Sequence, residues 1–302
     1  MTFASKSQKI RKVVIAVAGY GTRFLPATKT VPKEMLPIVD KPNIQYLVEE
    51  AVESGIKDVI LVTRPSGQEV MEAHFKPNPD LETMLEKSGK DEILANIRKI
   101  SKMANFYFPK QTPNLPYGNA SPLLAAQDLI ENEERFIYMF GDDMVLSSIP
   151  CVKQIIDYSD SKNKAVVVGV QEIPKSEINR YGIYKIAPGS TDRVIDAEEK
   201  PDPDSVEPPY LAQFGRFVLN HEILKITQKN AQNLKLGKNN EIWMIDQIIE
   251  YAKKNPVYAV KVKGEWTTTG DPLRYMKTQV KYALKRNDIG ADFADFLKTL
   301  KL

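Results

Sequence analysis

Residues 13–63 read VVIAVAGYGTRFLPATKTVPKEMLPIVDKPNIQYLVEEAVESGIKDVILVT. The first six positions, Val13–Ala18, form an unbroken apolar and largely β-branched run, which predicts a strand buried on both faces. Asn43–Ser54 then sets Ile44, Leu47, Val48, Ala51 and Val52 on one helical face, with Gly55 as the stop. Asp58–Thr63 is a second buried run. Strand, helix and strand in that order make a βαβ unit, with parallel strands and a right-handed crossover.

The alternation continues downstream. Leu81–Ser101 predicts one or two polar-faced helices around Gly89, and Asn105–Phe108 a short aromatic strand. Leu123–Ile130 predicts a helix, Phe136–Phe140 a strand ending at Gly141-Asp142-Asp143, and Ala165–Val170 another strand. Such a succession predicts an open, doubly wound α/β sheet. Past residue 170 the pattern changes. Tyr181–Ile186 and Arg193–Glu198 predict short strands split by Pro188-Gly189, Asp202–Pro209 is a proline-rich acidic loop, and Gln213–Leu219 predicts a strand. Trp243–Lys253 predicts a helix, Val257–Val262 a strand, and Tyr275–Lys285 and Asp292–Lys301 terminal helices. No flexible linker separates residues 1–170 from 171–302, so these halves are expected to belong to one compact domain.

Composition narrows the function classes. A chain of 302 residues with 42% hydrophobic content is not an intrinsically disordered one. Lys+Arg of 42 against Asp+Glu of 39 gives a net charge of +3, and no basic tract accompanies the aromatic positions, which argues against a nucleic-acid partner. One cysteine and two histidines exclude a zinc site built on several Cys/His ligands, while a Ser-His-Asp triad stays open. Cys151 has no internal disulfide partner, which fits a reducing compartment. The opening MTFASKSQKIRK leads into a short apolar run without a small-residue cleavage site, which argues against a secretory signal. No apolar run approaches the roughly 20 residues needed to span a membrane. The expectation is a cytoplasmic protein without a membrane partner.

The Gly19-Tyr20-Gly21-Thr22-Arg23 loop directly follows the first strand. Backbone N–H groups of such a loop can reach a phosphate, and Arg23 and Lys33 would bring two cations to it. A tight turn with solvated cations accounts for the same residues. The loop lacks the third glycine of a dinucleotide fingerprint and is not a Walker A sequence.

Residues 18–42, AGYGTRFLPATKTVPKEMLPIVDKP, resemble the signature of bacterial UTP–glucose-1-phosphate uridylyltransferases, members of the sugar-1-phosphate nucleotidyltransferases. The likeness continues through IQYLVEEAVESGIKDVILVT, FGDD, RYGIYKI, EEKP, FGRFVL and YMKTQVKYAL, and so covers most of the chain. It implies a Rossmann-like open mixed sheet flanked by helices, the nucleotide-diphospho-sugar transferase fold. It implies UTP and glucose 1-phosphate as substrates, Mg²⁺ as cofactor, and a homodimer or homotetramer. The matched loop, with Ala18, Gly19 and Gly21, would wrap the nucleotide. Arg23 would hold the triphosphate, Lys33 would contact the phosphates during transfer, and Glu34 would meet the nucleoside. Asp142 would bind the metal, with Asp143 the lesser candidate because neighbouring strand residues face opposite ways. Gln111 and Gly118 fall in the base-reading segment. Gly182, Glu199, Lys200, and the Gly215-Arg216 strand would line the sugar-phosphate pocket, and acidic family positions match Glu241 and Asp246.

Three positions depart from the family pattern. Thr268, in Trp266-Thr267-Thr268-Thr269-Gly270, stands where a second metal aspartate is usual; a hydroxyl is a weaker ligand for a hard cation. Asp271 could replace it only if the loop is reshaped. Pro116 stands where a glycine N–H meets the pyrimidine carbonyl, and proline has no N–H. The helix usually written EIQLTDAI is EIWMIDQI here, with Trp243 and Ile245 in place of polar residues. Two readings follow: an active enzyme making UDP-glucose and pyrophosphate, or a catalytically weak paralogue that binds nucleotide-sugar or regulates an active homologue. His74 and His221 lie outside every matched motif.

Overall fold

The computed structural model describes residues 9–301, so Met1–Gln8, the start of the segment read above for a secretory signal, and Leu302 lie outside the described residues. Strand β1 (Lys12–Val17) feeds a loop that returns through the short strands β2 (Pro37–Ile38) and β3 (Lys41–Pro42) into helix α1 (Asn43–Glu53) and strand β4 (Asp58–Thr63). β1 and β4 are parallel in register Lys12↔Asp58 to Val17↔Thr63, which is the βαβ unit the sequence predicts. Side-chain alternation sorts the strands onto two cores: Val14, Ile60 and Val62 pack with Phe136 and Tyr138 on one face, while Val13, Ile15, Val59 and Leu61 pack with Ile137 and Met139 on the other.

Helices α2 (Gln68–Phe75), α3 (Pro79–Lys87) and α4 (Asp91–Lys102) lead to β5 (Asn105–Tyr107), parallel to β4. The helix expected over Leu123–Ile130 is two short ones, α5 (Ser121–Ala125) and α6 (Gln127–Ile130), because Ala126 leaves helical geometry at φ −98°, ψ 1°. β6 (Arg135–Phe140) is parallel to β1 on its other side. After β7 (Asp143–Leu146) and α7 (Cys151–Ser161) come β8 (Val166–Glu172), β9 (Gly182–Ile186), β10 (Val194–Glu199) and β11 (Leu211–Asn220). Then follow α8 (His221–Gln232), α9 (Met244–Ala252), β12 (Val257–Lys261), β13 (Glu265–Thr268), α10 (Pro272–Lys285) and α11 (Gly290–Thr299).

The main sheet runs β10-β9-β11-β6-β1-β4-β5, with β8 on β11 and β12 on β8. β11 is antiparallel to β6, β8 and β9, so the sheet is mixed, as the family resemblance implied. Strands from both sides of residue 170 share it. The register of β11 against β8 shifts between Gln213 and Phe217, and Gly215 sits inside that shift at φ +73°.

Two features place the site. The C-terminal ends of β1, β4 and β6 lie side by side, the edge at which open α/β sheets bind ligands. Beside them, β13 pairs antiparallel with β7, setting Thr268 opposite Asp143.

Candidate active site

The loop after β1 owes its path to Gly21. Its φ of +63° is a left-handed turn, and a Cβ there would come within 3.1 Å of both Thr28 and Lys33. The Thr28 hydroxyl donates to the Gly21 carbonyl at 2.8 Å and fixes the turn. Lys33 opens a single turn of 3₁₀ helix, Lys33–Met35, that aims its side chain across the sheet edge to the end of β6. There its ammonium donates to Asp142 Oδ2 at 2.6 Å and lies 3.7 Å from Glu34 Oε1. Arg23 donates to the Gly270 carbonyl at 3.0 Å, so the same loop is tied to the segment after β13.

Burial and charge divide the acidic groups. Burial alone would raise the Asp142 carboxyl, but the charge and hydrogen bond of Lys33, with Arg23 beyond, hold it below the usual range. Burial and the charge of Asp142 push Asp143 up to about 8, although the Trp266 indole donates to its Oδ1 at 2.9 Å. Burial pushes Glu34 up to about 7 against the pull of Lys33, and its Oε2 has no hydrogen-bond partner among the described residues. Lys33 thus favours the charged form of Asp142, while burial and the charge of Asp142 favour the protonated form of Asp143. For Lys33, burial opposes the charge, yet the charges of Asp142 and Glu34 raise its pKa, so it stays an ammonium.

Thr268 donates to the Asp142 carbonyl at 3.1 Å. The Asp142 carboxylate and the Thr268 hydroxyl lie 3.3 and 3.4 Å from the point where a Gly270 side chain would begin. Asp271 does not reach toward Asp142. It caps α10, accepting from the Arg274 N–H at 3.0 Å, and pairs with Arg180 at 2.8 Å and Arg274 at 3.1 Å. The reshaped loop that would make it a metal ligand is not present. No group of three or more His, Cys, Asp or Glu side chains suited to a metal occurs among the described residues.

At the other end of the site, β9 and β10 present Gly182 and Glu199. A Cβ on Gly182 would meet Ile245 Cδ1 at 2.6 Å and Glu199 Oε2 at 2.9 Å, so only glycine fits there. Burial raises the Glu199 carboxyl, while Lys200, 3.5 Å away, pulls it down. Gln213 Nε2 also donates to Glu199, at 3.5 Å, and accepts from Tyr184 through Oε1 at 3.0 Å.

These groups share one cavity of about 970 Å³. Of the residues singled out in the sequence, Ala18, Gly19, Arg23, Lys33, Gln111, Gly118, Asp142, Gly182, Glu199 and Lys200 line it, and so do Glu34, Asp143, Glu241, Thr268 and Asp271. Gly21, Gly215, Arg216 and Asp246 do not. Gly21 shapes the loop from behind. Gly215 is a packing glycine, since a Cβ there would strike the Phe140 side chain at 2.5 Å, and it is Phe140 that faces the cavity. Arg216 is fully buried on the far side, gripping Glu50 at 3.0 and 2.8 Å and donating to the Asp143 carbonyl at 2.8 Å. His74 and His221 are also off the cavity. Tyr117, Asn179, Arg180, Gln213, Trp243 and Arg274 line it as well. Of these, only Trp243 had been singled out, for standing in place of a polar residue of the family pattern.

The segment around Gly118 is held by backbone pairing. Ile242 N–H donates to the Tyr117 carbonyl at 2.8 Å and Ala120 N–H to the Ile242 carbonyl at 3.0 Å. Gly118, at φ +139°, passes so close that a Cβ would lie 2.3 Å from the Ile242 oxygen. Gly118→Ala is expected to lower stability by about 1–3 kcal/mol, read from urea unfolding. An unchanged midpoint would contradict the close approach.

A nucleotidyl transferase family model matches residues 12–285. A UTP–glucose-1-phosphate uridylyltransferase of Staphylococcus epidermidis is 39% identical over 297 residues, covering 98% of this chain and 100% of the relative. Among solved structures, a UTP-bound UGPase from Acinetobacter baumannii aligns with a TM-score of 0.84 at 31% identity, over 97% of this chain and 100% of the other. A UDP-glucose pyrophosphorylase complexed with UDP-glucose aligns with a TM-score of 0.78 at 33% identity, over 92% and 100%. Signature loop, mixed sheet and full-length likeness agree: the chain belongs to the nucleotidyl transferase family, among the bacterial UTP–glucose-1-phosphate uridylyltransferases.

Proposed function

We propose that the cavity joins UTP and glucose 1-phosphate to give UDP-glucose and pyrophosphate. The observation that carries this reading is the convergence of Arg23, Lys33 and Lys200 on one cavity, from loops at its two ends. A phosphate oxygen of glucose 1-phosphate attacks the α-phosphorus of UTP, and the bond to pyrophosphate breaks. The attacking oxygen is already anionic at neutral pH, so no general base is needed, consistent with both histidines lying off the cavity. The protein's work is then to align two polyanions and offset their repulsion. Residues 1–170 supply the nucleotide half and 171–302 the sugar half.

In this reading Lys33 and Arg23 meet the triphosphate, and Arg23 can grip phosphate oxygens through two N–H groups. Lys200 meets the phosphate of the sugar, and Glu199 accepts from its hydroxyls. Asp142, an anion open to the cavity, and the neighbouring Thr268 hydroxyl are hard oxygen donors that suit Mg²⁺, which commonly takes one or two carboxylates and completes its shell with substrate phosphates and water. When bound, magnesium supplies positive charge to the triphosphate. The full-length likeness to uridylyltransferases favours this enzyme over the non-catalytic paralogue. Among the described residues no helix is long and apolar enough to cross a membrane, in keeping with a cytoplasmic enzyme. A homodimer or homotetramer would cover the exposed Leu284 and Phe296 of α10 and α11 and Leu300 just past α11.

Pyrophosphate release with glucose 1-phosphate and Mg²⁺, compared for UTP, dTTP and CTP, tests the reading. UTP is expected to be the best substrate, and silence with every pair would overturn it. Arg23→Ala is expected to lower turnover at least tenfold, equivalent to about 1.4 kcal/mol or more, with unchanged circular dichroism; near-normal turnover would remove Arg23 from the mechanism.

A further inference from the structure

We infer that Trp243 is a positioning residue, whose indole face holds the Lys200 ammonium in place to receive the phosphate of the sugar substrate. The inference rests on the proposed role of Lys200 in binding glucose 1-phosphate. Lys200 follows β10 at φ +48°, a left-handed conformation that a long side chain seldom adopts, and its N–H donates to the Tyr181 carbonyl at 3.1 Å. That turn lays the side chain over Trp243, with Nζ 4.5 Å from the ring centroid. The ring is itself fixed. It is buried, its Nε1 donates to the Lys238 carbonyl at 3.0 Å, and its residue caps the start of α9.

The chemistry of this contact differs from that of an ion pair. The face of an indole attracts a cation through its quadrupole but carries no net charge. It therefore restricts the ammonium without neutralising it. Glu199, at 3.5 Å, is the second partner of the ammonium, its carboxyl raised by burial and pulled back by Lys200, so the indole and the carboxylate hold the lysine from two sides. The lysine side chain remains 42% exposed, on the cavity.

The test is steady-state kinetics of Trp243→Leu, Trp243→Phe, Lys200→Met and the double variant Lys200→Met/Trp243→Leu, beside the wild type. Trp243→Leu is expected to raise KM for glucose 1-phosphate about 5- to 20-fold, within the range of a desolvated cation–π contact, with KM for UTP changed less than about twofold. Trp243→Phe should restore part of the loss. In the Lys200→Met background Trp243→Leu should add less than about twofold, because its effect passes through the lysine. An unchanged KM for glucose 1-phosphate, equal rises for both substrates, or a full effect without Lys200 would overturn the inference. Should Trp243→Leu fail to fold, Trp243→Phe with and without Lys200 decides on the same criteria, with a rise of about two- to fivefold expected. A wild type that releases no pyrophosphate removes the proposed function and this inference together. An active wild type with an unmoved Trp243 series removes the inference alone.

Discussion

Lys33→Ala is expected to lower kcat for pyrophosphate release by about 10²- to 10³-fold, the cost of deleting one preorganised charge-stabilising donor. Lys33 is the cation closest to Asp142, at 2.6 Å, and it also faces Glu34 at 3.7 Å. Without it, Asp142 and the neighbouring Glu34 would confront the incoming triphosphate with Arg23 as the one remaining cation of this loop on the cavity. Lys33→Arg keeps the charge but spreads it over a planar fork that the narrow gap between Asp142 and Glu34 does not suit, so it should recover only part of the rate. Stopped assays at saturating UTP and glucose 1-phosphate measure the effect, with circular dichroism to confirm the fold. A kcat within threefold of wild type would show that Lys33 serves only to pair Asp142.

The largest effect on stability is expected at Arg216. Its side chain is fully buried and makes two bonds to Glu50 on α1, one to the Asp143 carbonyl in β7 and one to its own neighbour's carbonyl at Gly215. Glu50 Oε1 in turn accepts from the Val152 N–H at the start of α7. One guanidinium thus fastens β11 to α1, through Glu50 to α7, and to the start of β7 at Asp143. Arg216→Met would leave the largely buried Glu50 carboxylate without its cation, a loss of about 3–5 kcal/mol. Urea unfolding measures it, and Arg216→Met/Glu50→Leu should recover much of the loss, because no charge is then stranded. A loss below about 1 kcal/mol for the single variant would mean that water reaches Glu50 readily.

The contrast between legible and hidden elements is physical. Val13–Val17, Asp58–Thr63 and Val166–Val170 lie inside the sheet and are covered on both faces, so each carries a run of apolar, mostly β-branched residues of strand length. Helices α2, α7 and α8 gave no comparable signal. The buried positions of α8 include Thr227 and Asn230, those of α7 include Cys151 and Ser159, and α2 buries only Met71 and Phe75. Polar residues there are satisfied internally, as where Thr227 donates to the Ile223 carbonyl, and they interrupt the apolar stripe. The β7–β13 pair was equally hidden, since four-residue strands so distant in sequence carry no local pairing signal.

The site divides along the same line. Arg23, Lys33, Asp142 and Lys200 were legible because each belongs to a contiguous motif. Gln213, Arg180 and Arg274 were not, because only the order β10-β9-β11-β6 and the packing of α10 bring them to the cavity. Gly215 was misplaced for a related reason: its motif predicts a strand near the pocket, but side-chain alternation and the bulge turn it toward Phe140.

A single cavity that holds both phosphorylated substrates is most directly tested by calorimetric binding of UDP-glucose to the wild-type chain, alone and in the presence of each substrate. One UDP-glucose per chain is predicted, and UTP and glucose 1-phosphate should each weaken its binding competitively, since each would occupy one half of the same cavity. Binding of UDP-glucose that is indifferent to either compound would contradict the shared site.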